Sequence, residues 1–290
     1  IFASDCNTIK SKDENIISTK LIYWFLKSIQ KVIYTYKRGH AQPHVYADDI
    51  AKIKIPLPPK DVQKKIAAEI EALEEKETEA KDKIERLRGK IDNILETLKY
   101  DTIELGNIVS LKNGLNYSRK SSGDTINIIG VGDFQNNIVP NLDFIEQIQI
   151  EGELSEDYLL KPDDLLVVRS NGSAALVGRF LLIDKVLPKT SFSGFTIRLR
   201  PNLEKVHPKY LCYYLRTKNV REKLTRNSGG SNIKSLNQTL LFSLKVPLPP
   251  LPEQQKIAAE IEKLEDEIQG LQKLRKQTAG QKELCLRKYL

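Results

Sequence analysis

The sequence predicts an α/β protein with one complete α/β domain, part of a second, and two long helices that pair as an antiparallel coiled coil. Three observations carry this expectation. A 20-residue segment recurs after 191 residues; each copy opens a proline-free stretch with apolar residues spaced alternately four and three apart; and residues 102–246, between the copies, hold short β-branched runs bounded by Gly, Asn, Asp or Pro.

The repeat divides the chain. Pro56-Leu57-Pro58-Pro59 returns as Pro247-Leu248-Pro249-Pro250, and across residues 55–74 and 246–265 there are 14 identities in 20 positions, Gln63/Gln254 among them. Upstream, residues 20–26 parallel residues 209–215, and Gly39 precedes its Pro-rich turn much as Gly230 does. The repeating unit is therefore a globular piece followed by a helix. Residues 1–55 match only the distal part of residues 102–246, so the first domain is expected to lack its front half and to expose apolar surface around Tyr23, Trp24 and Phe25. A start at Ile1 and the absence of methionine fit a fragment.

Residues 56–101 and 247–290 are the helical segments. Proline is tolerated in a first helical turn but not inside a helix, and none occurs at 60–100 or 253–290. The first helix, expected over about 60–98, carries a seam of Ile66, Ile70, Leu73, Ala80, Ile84, Leu87, Ile91, Ile94 and Leu98, with Glu77 as its one polar member. The second, over about 253–289, carries Ile257, Ile261, Leu264, Ile268 and Leu271, with an expected change of phase near Leu274. Each seam demands a partner. Packing the two helices on each other satisfies both, and an antiparallel arrangement would place the globular units at opposite ends; a coiled coil between separate chains is the alternative. At about 1.5 Å per residue the first helix spans roughly 58 Å, long enough to set a distance.

Between the helices, residues 103–109, 126–131, 165–169, 178–183 and 195–199 read as strands, and 208–216 and 220–225 as helices. Charge is distributed unevenly here. The chain carries a net +8, but residues 102–168 hold 4 basic and 11 acidic side chains whereas residues 169–245 hold 15 basic and 3 acidic. One basic face is the footprint of phosphate binding; a solvated surface with chance clustering is the bland alternative. Within the basic half, Arg169, Ser170, Asn171 and Ser173 form a polar loop around Gly172, and Arg179 opens the next strand. A second loop holds Arg226, Asn227, Ser228, Asn232 and Lys234, and a third candidate holds Tyr117, Arg119 and Lys120. These side chains supply the donors and acceptors that phosphates and base edges require. A flexible linker is the alternative reading of the second loop.

Signals for catalysis are weak. Gly130-Val131-Gly132 lacks the third glycine of a dinucleotide fingerprint. His40, His44 and His207 are scattered and read as surface or capping residues; Cys6, Cys212 and Cys285 lack zinc spacing and read as thiols of a reducing cytoplasm. The acidic residues Glu151, Glu153, Glu156, Asp157, Asp163 and Asp164 read as a solvated face rather than a metal site. No Asn-Pro-Pro-aromatic tetrapeptide is present, and no run of apolar residues is long enough to span a membrane. The chain is expected to be non-catalytic and to bind no metal or cofactor.

A repeated Pro-Leu-Pro-Pro turn followed by Gln-x-Lys-Ile-Ala-Ala-Glu-Ile and a long helix, after an α/β domain, resembles the DNA specificity subunits of type I restriction-modification systems. The resemblance covers nearly the whole chain. It implies α/β target-recognition domains joined by two long antiparallel coiled-coil helices: the distal part of a first recognition domain (1–55), a central spacer helix (56–101), a complete second recognition domain (102–246) and a distal helix (247–290). It further implies that each domain reads one half of a split double-stranded DNA site, that adenine methyltransferase (modification) subunits dock on the helices, and that a separate restriction-translocation subunit completes a cytoplasmic assembly. S-adenosylmethionine, ATP and magnesium would belong to those partners. The specificity region of a fused single-chain restriction-methylation enzyme, or a coiled-coil adaptor that binds only protein, are the alternatives.

Overall fold

The computed structural model describes residues 8–38, 44–118, 123–134, 138–173, 175–226, 236 and 238–289. The chain divides into two compact units, residues 1–86 with 267–290, and residues 87–266.

The first unit contains α1 (Thr19–Ser28), α2 (Gln30–Thr35), α3 (Ala47–Ala51) and most of α4 (Lys60–Glu96). Ser18 caps α1, its hydroxyl accepting from the Leu21 amide at 3.1 Å. Leu21 and Trp24 on the inner face of α1 pack with Ile66 and Ile70 of α4 and with Cys285 and Leu286 near the chain's end. Outside this cluster the segment is thinly buried. Neither α2 nor α3 contributes a buried residue, and Tyr23, Val32, Tyr34 and Tyr46 are each about half exposed.

The final helix, α8 (Leu251–Tyr289), runs against α4 in the opposite sense: Glu69 accepts from Tyr289 at 2.8 Å, Glu77 meets Lys282, and Lys83 pairs with Glu267 at 2.6 Å. The expected change of phase near Leu274 does not occur. Leu274 is exposed, and the four-three spacing continues from Leu271 through Arg275, Thr278, Lys282, Cys285 and Tyr289. Polar residues hold the seam because Glu77 stands opposite them. Its carboxyl is held below its usual pKa first by the hydrogen bond from Lys282 and then, against the cost of burial, by the charges of Lys282 and Arg275. Thr278 is 1% exposed and returns its hydroxyl to Leu274 O at 2.9 Å.

The second unit takes in the last turns of α4, the first turns of α8 and the α/β domain between them. Its nine strands among the described residues form three sheets. β1 (Thr102–Glu104) pairs antiparallel with β9 (Lys245–Pro247), Ile103 opposite Val246. Entry to the domain from α4 is thereby bonded to the exit into α8. This two-stranded clasp is the reason that the helices leave in antiparallel directions. β2 (Val109–Asn113), β8 (Thr196–Pro201), β5 (Leu165–Val168) and β6 (Phe180–Leu182) form an antiparallel sheet in that order. β4 (Glu146–Gln149), β3 (Thr125–Ile129) and β7 (Thr190–Phe192) form the third, with β3 and β7 parallel. Leu166, Val168 and Leu181 of the four-stranded sheet meet Ile129 and Phe192 of the three-stranded one in a shared core. All four residues of β5 are buried, as a continuous apolar run requires of a central strand.

The expected strand at 103–109 is interrupted, because the chain changes sheets through a 3-10 turn at Leu105–Asn107. Leu105 N donates to Leu244 O there at 2.8 Å, and Gly106 lies where any Cβ would strike Phe242. α5 (Pro208–Leu215) and α6 (Lys218–Arg226) fall where expected, and α7 (Gln238–Phe242) was not anticipated. His207 is a capping residue, its Nδ1 accepting weakly from Tyr210 N at 3.4 Å.

The sequence repeat is also a repeat of interactions. Gln63 Nε2 donates to Ile16 O and Pro58 O, both at 2.9 Å, while Gln254 Nε2 donates to Lys205 O at 3.1 Å and Pro249 O at 2.8 Å. Lys20–Glu71 at 2.7 Å is matched by Lys209–Glu262 at 2.5 Å. In each copy the glutamine ties the Pro-rich turn to the globular piece before it.

Along α4, Ile66, Ile70, Ala80, Ile84 and Ile91 are buried, while Leu73, Leu87, Ile94 and Leu98 are half-buried. Leu95, outside the anticipated seam, is fully buried. The buried face rotates because these last turns serve the α/β domain: Asp92 and Glu96 accept from the Lys218 and Asn219 amides at 3.4 and 3.1 Å, capping α6. On α8, Ile257, Ile261, Leu264 and Ile268 are buried and Leu271 is half-buried.

Candidate nucleic-acid interface

One recess of about 580 Å³ in the second unit gathers several residues singled out from the sequence. Ser170, Asn171 and Gly172, from the connection after β5, line it together with Tyr117, which follows β2. Opposite them lie residues 130–133 after β3. The loop after β5 is fixed at its base, because Arg169 N and Ser170 N both donate to Phe195 O, at 2.8 and 3.3 Å. Asn171 Oδ1 accepts from Ser173 N at 2.8 Å, an Asx turn that spends this oxygen on the loop's own shape. Gly178, with φ of +77°, lets the connection fold back tightly, its amide donating to Val168 O at 3.0 Å. Gly114 permits the β2 end to approach β7, since a Cβ there would lie 2.0 Å from Ser193 O.

The sequence reading missed two aromatic side chains of this recess. Phe144 and Phe195 line it while remaining 81% and 60% exposed. Their flanks carry no local signal, since an exposed phenylalanine looks like a core one until the fold is known. Glu146 also lines the recess, as does Asp133, whose carboxyl is raised by burial despite accepting from Gly130 N at 2.8 Å.

Other anticipated residues lie elsewhere. Ser173 is exposed at the loop tip, and Arg169 lines no described cavity, its carbonyl accepting from Leu236 N at 2.8 Å. Leu236 is 1% exposed, so the chain leaving the second candidate loop is docked beside the first. Arg226 ends α6; Asn227, Ser228, Asn232 and Lys234 lie outside the described residues, as do Arg119, Lys120, His40, Cys6, Gly39 and Gly230. Arg179 stands in a second cleft, of about 350 Å³, with Arg88, Arg216, Lys218 and Arg221.

Two of the charges counted toward a basic face are engaged within the domain, Arg198 buried and Arg200 half-buried. Arg198 is 6% exposed and donates to Asp157 O and Leu159 O, at 2.9 and 3.3 Å. Arg200 grips Asp164 through two bonds of 2.7 and 2.8 Å. Asp164 is 1% exposed, which corrects its assignment to a solvated face. An arginine fork is needed there because the carboxylate is removed from water beneath the sheet. Among the described residues no three His, Cys, Asp or Glu side chains are grouped to hold a metal ion, and no helix is long and apolar enough to cross a membrane.

A Pro-rich turn used twice to launch a long helix, with an α/β domain clasped between two antiparallel helices, defines a specificity-subunit class of architecture. The chain belongs to the type I restriction modification DNA specificity domain family, whose model matches residues 1–87 and 98–278. It is 28% identical over 291 residues to the type I restriction enzyme StySPI specificity subunit of Salmonella potsdam, with 91% of this chain and 61% of that protein covered. Similarity to the EcoKI specificity subunit of Escherichia coli strain K12 is 24% over 163 residues, covering 54% of this chain and 34% of the relative. The chain thus spans less than two thirds of these relatives' length. In fold it resembles the type I restriction-modification S subunit from M. genitalium, with a TM-score of 0.53, 19% identity and coverage of 96% of this chain and 74% of that one. It also resembles the HsdS subunit from Thermoanaerobacter tengcongensis, with a TM-score of 0.50, 18% identity and coverage of 95% and 70%.

Proposed function

We propose that this chain is a non-catalytic, sequence-specific DNA-binding subunit of a type I restriction-modification complex. Its α/β domain, residues 102–246, reads one half of a split target, and its helices, within 56–101 and 247–290, set the spacing and dock adenine methyltransferase subunits. A restriction-translocation subunit completes the assembly, which works in the cytoplasm. S-adenosylmethionine, ATP and magnesium act in those partners.

The observation that carries this reading is the recess of Ser170, Asn171, Tyr117, Phe144 and Phe195 beside a cleft rich in arginine. Hydroxyl and amide groups read base edges, an aromatic face offers apolar contact to a thymine methyl, and a carboxylate such as Glu146 accepts from cytosine N4. With its Oδ1 engaged by Ser173, Asn171 acts through its Nδ2 donors. The test is a mobility-shift titration of the chain assembled with its methyltransferase subunits, before and after alanine replacement of Ser170, Asn171, Phe144 and Phe195 together. The expected result is a loss of sequence preference of about 1–3 kcal/mol per base-reading side chain. Unchanged affinity and preference would remove the reading of the site, and an assembly that binds no duplex would favour the protein-only adaptor.

A further inference from the structure

The second cleft is built from several elements of the second unit. Arg88 and Asp92 come from the last turns of α4, Arg179 from just before β6, Arg216, Lys218 and Arg221 from the end of α5 and from α6, and Glu265 from α8. Five cationic side chains therefore face two carboxylates. Asp92 already caps α6, and burial raises the pKa of both acids, with Arg216 and Arg88 opposing that shift at Glu265.

Arg179 and Arg221 differ from the rest. Arg179 Nε donates to Ala175 O at 3.1 Å and its Nη1 to Phe134 O at 3.3 Å, while Arg221 Nη2 donates to the same Ala175 O. Both guanidiniums spend these bonds on backbone carbonyls and not on carboxylates. Carbonyl oxygens orient a guanidinium without neutralising it, so two full positive charges are held in place side by side. Burial and then the nearby charges of Arg221, Arg216 and Arg88 push the Arg179 pKa down.

We propose that this cleft is an oxyanion site that takes a phosphate of the DNA backbone, gripped by the Arg179 and Arg221 guanidiniums. Planar guanidinium forks match phosphate oxygens in bidentate geometry. DNA is favoured as the source because neighbouring stretches of the same two connections line the cleft and the recess. Gly178 and Arg179 close the same connection whose Ser170 to Gly172 lines the recess, and the Phe134 carbonyl that holds Arg179 follows Gly130 to Asp133, which line the recess too. A duplex read in the recess carries its backbone past the cleft. The inference rests on the DNA-reading role proposed above.

The experiment compares the full chain with its Arg179→Gln/Arg221→Gln variant, after thermal unfolding shows that both fold. Glutamine keeps a donor for Ala175 O and removes the charge. Fluorescence anisotropy with a random-sequence duplex, titrated over a range of salt, should show binding about tenfold weaker, with a log-affinity against log-salt slope shallower by about 0.9 for each phosphate that the variant no longer neutralises. The ratio of cognate to random affinity should stay unchanged. Equal affinity and slope for both proteins would overturn the site while leaving the recess reading intact; failure of the unaltered chain to bind any duplex, by itself and assembled with methyltransferase subunits, would overturn both. Two further arms separate other sources of anion. Thermal stabilisation by inorganic phosphate that the variant loses, with duplex binding unaffected, would assign the cleft to a free phosphate and overturn the DNA assignment. So would a variant that fails to co-purify with the methyltransferase subunits yet binds duplex normally, since partner carboxylates would then be the occupant.

Discussion

Replacing Gln254 with alanine tests whether the repeated glutamine holds each Pro-rich turn to its domain. Gln254 is fully buried and makes three bonds: two from Nε2 to Lys205 O and Pro249 O, and one accepted by Oε1 from His207 N at 2.8 Å. Truncation leaves two carbonyls and one amide without partners in a site that water does not reach. At about 1 kcal/mol for each orphaned group the loss is about 3 kcal/mol. Gln63, 9% exposed, satisfies only the Ile16 and Pro58 carbonyls, so Gln63→Ala should cost about 1–2 kcal/mol. Thermal unfolding followed by far-UV circular dichroism reads the difference, with Gln254→Ala lowering Tm by roughly 6–10 °C. Gln254→Glu should be worse than alanine at neutral pH, because a carboxylate cannot donate to two carbonyls, and should recover as protonation returns a donor. A Gln254→Ala protein as stable as Gln63→Ala, or one weakened by less than about 1 kcal/mol, would refute the clasp.

Three other outcomes follow from the packing. Ile84→Asp places a charge at a position 3% exposed in the helix seam and should destabilise by about 3 kcal/mol or more in urea unfolding; a loss under about 1 kcal/mol would mean that the seam opens freely. Glu77 has a depressed folded pKa, so its contribution is present above the unfolded value of 4.5 and vanishes as pH falls through the folded one; Glu77→Gln should flatten the fall in stability in that acid window, which acid titration of the unfolding midpoint measures. In limited proteolysis, residues 8–38, which bury only Leu21, Ile22 and Trp24 among apolar side chains, should be cut before the α/β domain, and equal resistance of the two would contradict the sparse packing seen there.

The sequence by itself determined the repeat, the extent of both long helices and the central strands, because these rest on local quantities. Proline-free stretches with four-three apolar spacing set α4 and α8 nearly to the residue, and an uninterrupted apolar run set β5. The family was legible for the same reason, its signature being a contiguous turn and helix start. The strands β2, β4, β7 and β9 escaped, because each takes its identity from a distant partner rather than from its own pattern. Only tertiary structure decided which charges are internal. Arg198 and Asp164 read as surface groups until the sheet encloses them, whereas Arg88, Arg179 and Arg221 lie far apart in sequence and converge only when their elements pack. The polar stretch of the helix seam carries the same lesson. Arg275, Thr278 and Lys282 look like a lost phase along one helix and become a continuous seam once Glu77 stands across from them, because the cost of burying a polar group depends on its partner and not on its neighbours in the chain.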